Sequence, residues 1–511
     1  MRSLFLVIVA CLLNSCGQHD AFATQDEPAF NDNDWFKAGQ ETLAERRAIV
    51  PDRNKAKNVI LFIADGMGPT TVTAARIYDG QTRGKDGEEN FLSFEKFPYA
   101  ALVKTYNTNA QTPDSAGTMS AMTTGVKTKA GVIAISDAAD HGDCEAGLKA
   151  EVPTLAELAE QVGMSTGIIS TARITHATPA AVFAHAANRS WEADVDLSAA
   201  AVASGCVDIA SQLIDFPFGD GIDVAFGGGR LNFLPTEATD PEDPDENGRR
   251  RDGRNLANEW SEKSAAHKVV YTTEGFASLS VGDRPLGLFE QSHMEYEADR
   301  ANDTGGEPSL SEMTKTAISI LSENENGYFL MVEAGRVDHA HHGGNAARAL
   351  KDAQEFANAV GLASALTSDD DTLIIVTADH GHTLSFQGYP SKGNDILGLA
   401  DLINPDEDDD GFAKAADDKP YTTLVYANGP GSVLIGDDHE DGRHSPSPEE
   451  VSDLNYRQQA LIPARSETHG GQDVTLYADG PSAYLFGGVI EQNYVFHVID
   501  DALELRARAA E

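Results

Sequence analysis

A chain of 511 residues with 41% apolar side chains is long enough to bury a large core, as one domain with insertions or two to three smaller ones, so no staples are needed to fold it. Its 81 Asp and Glu against 38 Lys and Arg leave a formal net charge of −43, which weighs against nucleic acid and anionic lipid as binding surfaces. The same charge repels a phosphate ester at long range, so any phosphate site needs concentrated positive charge of its own, such as metal ions supply.

At the start of the chain, Arg2 precedes the apolar run Leu4 to Leu13, too short to span a bilayer but right for a signal-peptide core, so export is expected. Leu13-Asn14-Ser15-Cys16-Gly17 resembles a bacterial lipobox, although Asn is not the usual residue at its place. On that reading residues 1–16 are a lipoprotein-type leader, Cys16 is lipidated, and the chain resides as an outer-membrane lipoprotein or in the periplasm, or reaches the cell surface. Cleavage after Ala21-Phe22-Ala23 is the alternative and would release an unanchored protein; the lipoprotein reading is preferred. Of the four cysteines, Cys11 and Cys16 belong to the leader, which leaves Cys144 and Cys206. One disulfide is the simplest account of them in an oxidising compartment, and two buried thiols are the alternative.

A polar arm, 17–56, leads into apolar runs bounded by Gly and Asp: Asn58 to Ala64, Thr166 to Ser170, Tyr328 to Val332 and Thr372 to Thr377, which read as buried strands. Helical patterns lie between them at Pro153 to Val162, Leu310 to Leu321 and Ala346 to Leu366. The alternation predicts an α/β fold, in which ligands gather beyond the carboxyl ends of strands. Asp65, Glu333 and Asp379-His380 stand there. Thr236 to Arg254, dense in Asp, Glu, Pro and Arg, and Ser385 to Arg443, rich in Gly, Pro and acidic runs, read as insertions, and no internal repeat is present.

The strongest local signal is Val332-Glu-Ala-Gly-Arg-Val-Asp-His-Ala-His-His342, two carboxylates and three imidazoles read as a strand-end loop. Carboxylate oxygen with imidazole nitrogen suits zinc, and Asp338 and His342 could serve one ion together. Thr377-Ala-Asp-His-Gly-His382 follows a β-branched strand, and Gly381 permits the irregular backbone that turns Asp379 and His380 toward one ion. Ala64-Asp-Gly-Met-Gly68 and Glu467-Thr-His-Gly-Gly471 add a carboxylate at a strand end and a histidine at a flexible turn. Singly each has an ordinary structural explanation, such as a helix cap or a satisfied surface histidine; together those explanations lose force. The nucleophile candidate is Ser115 in Gln111-Thr-Pro-Asp-Ser-Ala-Gly-Thr118, ahead of a predicted helix containing Met119 to Thr123, whose N-terminus favours phosphate. A serine needs a base or a metal to activate it, and with no Ser-His-Asp spacing in the chain the activation falls to a metal.

Asp65-Gly-Met-Gly, Asp114-Ser-Ala-Gly-Thr, His176-Ala-Thr-Pro-Ala, Val332 to His342, Thr377-Ala-Asp-His and Glu467-Thr-His-Gly-Gly resemble, in type and order, the motif series of the alkaline phosphatase family, closer to its animal-type branch than to the enteric bacterial form. The resemblance runs from about Lys57 to the strand near Val498. It implies a three-layer α/β/α sandwich with a mostly parallel central sheet and helices on both faces, and a catalytic domain over 57–384 and 444–505. An inserted segment over 236–310 and a crown-like insertion over 385–443 complete the expected organisation. It further implies two zinc ions, the first held by Asp338, His342 and His469 and the second by Asp379, His380 and Asp65, with Ser115 facing the second. One magnesium would be held by Asp65, Thr178 and Glu333, with His176 in the surrounding shell where the enteric form has Asp. Arg189, thirteen residues after His176, matches the phosphate-clamping arginine, whose planar fork binds two oxygens at once. Glu242, the carbonyl of Phe289, Glu290 and Glu307 resemble a calcium site, with Glu307 at a position where the family has Asp, and the resemblance also pairs Cys144 with Cys206. A homodimer is implied as well.

The expected activity is hydrolysis of phosphate monoesters through a phosphoserine, with inorganic phosphate released. Two other readings remain: a sulfatase or nucleotide phosphodiesterase of the same superfamily, which Ser115 disfavours since such relatives carry Thr or a modified Cys, and a non-enzymatic calcium-binding lipoprotein, which leaves the His-rich strand ends unexplained.

Overall fold

The computed structural model describes residues 33–406, 410–433 and 443–510. Cys16, both leader cleavage sites and the centre of the acidic run at 406–410 lie outside them. Two units are distinguished, Met1–Val50 and Pro51–Glu511. Among the described residues of the first, a helix spans Asp34–Ala48, its start capped by the Asn33 side chain, which accepts from the Phe36 N–H.

The second unit is built on a ten-stranded sheet. In chain order its strands are β1 (Asn58–Ala64), β2 (Tyr99–Lys104), β3 (Ser165–Arg173), β4 (Val224–Gly228), β5 (His267–Val270), β6 (Arg284–Leu288), β7 (Tyr328–Ala334), β8 (Thr372–Thr377), β9 (Val474–Asp479) and β10 (Gly488–Glu491). Their spatial order is β10-β2-β9-β8-β1-β7-β3-β4-β6-β5. Every pairing is parallel except those of β9 with β2 and β8. The central strands β1, β7 and β8 are buried along their whole length, which is why they read as unbroken apolar runs. The Leu310–Leu321, Ala346–Leu366 and Pro69–Thr82 helices pack together as one layer, and the Ser115–Thr124 and Tyr494–Leu503 helices pack together in another, giving an α/β sandwich. Phe62 of β1 meets Phe356 of the long helix edge to face at 5.9 Å, which locks sheet to helix.

Neighbouring strands β8, β1, β7 and β3 all end at one rim. Asp379 and His380 follow β8, Asp65 follows β1, Glu333 closes β7 and Asp338 comes soon after it, and His176 and Thr178 follow β3. Parallel pairing therefore delivers groups from distant parts of the chain to one place. The tight turn after β1 requires Gly66, which has φ +75° and where a Cβ would sit 2.5 Å from the His382 ring.

The 236–310 segment contributes β5 and β6 to an edge of the main sheet. In the 385–443 segment the Leu424–Gly429 strand pairs with Leu384–Phe386 at the segment's start and with Ala460–Pro463 beyond its end. One expectation changes. The His-rich stretch after β7 is a helix, Arg336–His342, not a loop. Cys144 and Cys206 are joined as a disulfide.

Candidate metal centre and nucleophile

Ser115 is the first residue of the Ser115–Thr124 helix, whose N-cap Asp114 accepts from the Gly117 N–H. The expected helix contains Met119 to Thr123; the observed one begins four residues before Met119, so the serine is carried on the helix itself. Asp114 also accepts from the Gly131 N–H at 2.9 Å and from Arg189 at 3.1 Å, tying nucleophile and arginine to one carboxylate. The buried Ser115 Oγ lies 3.2 Å from His380 Nε2. That nitrogen is 3.3 Å from Asp65 Oδ1 and 3.4 Å from Asp379 Oδ2. Asp379 is itself aimed by the Gly66 and His380 N–H groups and by the Thr118 hydroxyl, all of which donate to its carboxylate.

Asp338 and His342 stand one helical turn apart on the Arg336–His342 helix, 3.4 Å between Oδ1 and Nε2. His469 Nε2 is 3.4 Å from the same oxygen and 3.1 Å from His342 Nε2. Both rings give their Nδ1–H to carbonyls, His342 to Glu467 at 2.5 Å and His469 to Pro113 at 2.8 Å. With Nδ1 protonated, the Nε2 lone pairs of both rings point to one spot beside Asp338, the arrangement a tetrahedral cation takes.

Asp65, His176 and Glu333 form a third cluster, with one ligand atom of each within 4.8 Å of the others. Thr178 donates to Asp65 Oδ2 at 3.4 Å, and Ser170 donates to Glu333. His176 thus stands beside these carboxylates, and its Nε2 accepts from Arg189 at 3.1 Å.

Electrostatics set these groups in tension. Burial, then the nearby charges of Asp379, Asp338 and Glu333, raise the Asp65 carboxyl well above its ordinary range. Burial pushes Glu333 up to about 8 and also raises Asp379, while burial and then His469 hold His380 well below the usual imidazole value. Among the described residues Asp65 Oδ1, Glu333 Oε1, His380 Nδ1 and His176 Nδ1 are buried without a hydrogen-bond partner. Crowded carboxylates beside neutral imidazoles and orphaned donor atoms are what divalent cations would relieve, so the side chains present fit them.

A separate cluster brings together Glu242, Glu290 and Asp303. Burial, then Glu242 and Asp303, push Glu290 up to about 7, and Glu242 Oε1 is buried without a partner. Arg230 donates to Glu242 Oε2 at 2.8 Å. Asp303, not Glu307, is the third carboxylate: Glu307 instead accepts from the Glu295 N–H, and burial pushes it up to about 9. The loop between Glu290 and this acid has a length that sequence spacing alone does not fix. Phe289 is buried next to Glu290, its N–H donated to the Gly227 carbonyl.

Two buried residues in the centre escaped sequence reading. His382 holds Asp338 Oδ1 at 2.8 Å through Nε2 and Glu467 Oε2 at 2.5 Å through Nδ1. Burial works against the charged ring, but these two carboxylates outweigh it and push His382 up to about 9. His382 and Glu467 both lie inside the quoted motifs, but His382 is 44 positions from Asp338 and 85 from Glu467.

The family model described as alkaline phosphatase matches residues 56–505. The tissue-nonspecific alkaline phosphatase of Gallus gallus is 45% identical over 91% of this chain and 88% of its own length. An alkaline phosphatase of Gadus morhua is 44% identical over 93% and 97%. Among solved structures, the alkaline phosphatase of Thermus thermophilus superimposes with a TM-score of 0.63 at 24% identity, covering 89% of this chain and 93% of that one. That of the Antarctic bacterium TAB5 gives 0.59 at 22%, covering 88% and 99%.

Proposed function

The chain belongs to the alkaline phosphatase family and hydrolyses phosphate monoesters with bound metal ions, and from that premise we propose that it works through a phosphoserine on Ser115, with two zinc ions and one magnesium ion. Asp338, His342 and His469 would hold the first zinc, Asp379, His380 and Asp65 the second, and Asp65, Thr178 and Glu333 the magnesium. The mixed nitrogen and oxygen donors of the first two sets suit zinc, and the all-oxygen third set suits magnesium. When bound, the ions supply the positive charge that lowers the pKa of an oxygen nucleophile and offsets the charge of the transferred group.

Ser115 Oγ attacks phosphorus in line; the Oγ–P bond forms as the ester P–O bond breaks and the alcohol departs. The start of the Ser115–Thr124 helix turns its free N–H groups toward the arriving phosphate. Arg189, tethered by Asp114 and His176, holds two of the phosphoryl oxygens. Water then attacks the phosphoserine, the Oγ–P bond breaks, and inorganic phosphate leaves; two displacements retain configuration at phosphorus. The observation that carries this reading is Ser115 Oγ on a helix start, 3.2 Å from a histidine that also faces Asp65 and Asp379. Acid quenching of turnover and peptide mapping is expected to find phosphate on Ser115, and Ser115→Ala is expected to lose both label and at least about a thousandfold in kcat. Wild-type turnover by the variant would contradict the proposal.

Calcium is proposed at Glu242, Glu290 and Asp303 with the Phe289 carbonyl, supported by three carboxylates within reach of one ion. We also propose an exported chain anchored through Cys16, supported by the sequence of its leader. No helix among the described residues is long and apolar enough to cross a membrane. A homodimer is proposed with the exposed Tyr389, Leu461 and Ile462 in its interface.

A further inference from the structure

Glu467 ties into the proposed first zinc site through three different parts of the residue, reaching His342 directly and Asp338 through His382. Its carbonyl accepts the Nδ1–H of His342 at 2.5 Å, and its N–H donates to the His342 carbonyl at 2.9 Å. Its carboxylate holds His382 Nδ1, and His382 Nε2 holds Asp338 Oδ1 at 2.8 Å. Two residues on, His469 pairs in antiparallel register with His382 across a two-residue bridge. The other carboxylate oxygen is used as well, accepting from the N–H of Thr383 at 2.7 Å and its hydroxyl at 2.5 Å. Glu467 is 1% exposed, so these bonds do not compete with water.

We propose that Glu467 is a positioning residue which sets the zinc ligands Asp338, His342 and His469 in place before metal arrives. The claim rests on the first zinc assignment above. A carboxylate fixed at both oxygens orients the His382 ring, and that ring occupies one lone pair of Asp338 Oδ1 and so fixes the plane in which Asp338 presents its remaining lone pairs. The same residue's main chain aims His342, which leaves little rotational freedom at the site. Glutamine at this position keeps the arrangement: its carbonyl accepts from Thr383, its amide donates to His382 Nδ1, and His382 keeps Nε2–H for Asp338. Alanine removes the side-chain half of the hub and leaves the main-chain half.

The test follows zinc transfer from the holoenzyme to a chromogenic chelator, alongside the melting temperature of the metal-free protein. Glu467→Ala is expected to release zinc about 10–100-fold faster than wild type, and Glu467→Gln within about threefold of it. Equal release by Glu467→Ala and wild type overturns the proposal. So does a lowered metal-free melting temperature with unchanged release, because that marks a purely structural residue. If Glu467→Ala does not fold, Glu467→Asp replaces it; one methylene shorter, it cannot span Thr383 and His382 together, and release no faster than that of Glu467→Gln overturns the claim. Asp338→Ala separates the two levels of the argument. Full zinc content in that variant overturns the zinc assignment itself, whereas zinc loss there with normal release in Glu467→Ala overturns only the role given to Glu467.

Discussion

Replacing Arg189 by lysine keeps the charge and removes the fork, so it isolates what geometry contributes to phosphate binding. One N–H on each terminal nitrogen is already committed, to Asp114 at 3.1 Å and to His176 at 3.1 Å. Of the five guanidinium donors this leaves one on each terminal nitrogen, spaced to meet two phosphate oxygens, and the Nε–H. An ammonium has three donors on one atom; with one spent on Asp114 it can reach a phosphate from a single point only, and His176 loses its partner. A charge-assisted hydrogen bond contributes about 1.5–3 kcal/mol, so the loss of one predicts about 10–150-fold weaker phosphate binding. The Arg189 side chain is 24% exposed, which favours the lower half of that range. The assay is competitive inhibition by inorganic phosphate together with kcat/KM for a chromogenic monoester, with thermal melting to confirm the fold. Arg189→Lys within about twofold of wild type on both measures would refute the clamp.

Two further outcomes follow from groups outside the centre. Glu160 is 3% exposed, and burial, opposed by the Thr166 hydroxyl and reinforced by Asp223, pushes its carboxyl up to about 8 from an ordinary 4.5. Between those values the folded state holds a proton that the unfolded chain has released, so stability falls as pH rises across the window, by on the order of 2–4 kcal/mol in all. Glu160→Gln is expected to flatten that decline in urea unfolding from about pH 5 to about pH 9, and parallel curves for the two proteins would refute the assignment. The net charge of −43 strains the compact state by self-repulsion, which salt screens over about 10 Å at 0.1 M. The melting temperature is expected to rise from about 0.01 to about 0.5 M potassium chloride, and a flat or falling trend would show that attractive pairs dominate instead.

The parts legible in sequence were those whose cause is local. β1 and β8 appear with the predicted bounds because a parallel strand buried on both faces is apolar throughout, and the Leu310–Leu321 and Ala346–Leu366 helices carry their own periodicity. β7 runs two residues further than its apolar run because Glu333 is buried in the sheet among carboxylates, a setting no local pattern announces. Asp338 and His342 were legible as metal ligands but not as helix residues, since polar chemistry masked the turn that puts them on one face. His382 and Glu467 were invisible as a pair because 85 positions separate them, and the bridge between His382 and His469 that sets the two stretches side by side leaves no mark in local sequence. Asp303 lost to Glu307 in sequence because loop spacing, unlike helix spacing, does not say which acid joins Glu242 and Glu290.

The central claim, a serine nucleophile working with bound zinc, is tested most directly by one titration. Hydrolysis of a chromogenic phosphate monoester is followed from about pH 6 to about pH 11 for wild type and Ser115→Ala, as prepared, after chelation, and after zinc is restored. Activity should rise toward alkaline pH in the wild type, vanish on chelation, return with zinc, and be absent from the variant throughout. Full activity in Ser115→Ala, or in chelated protein shown by elemental analysis to hold no zinc, would contradict the account.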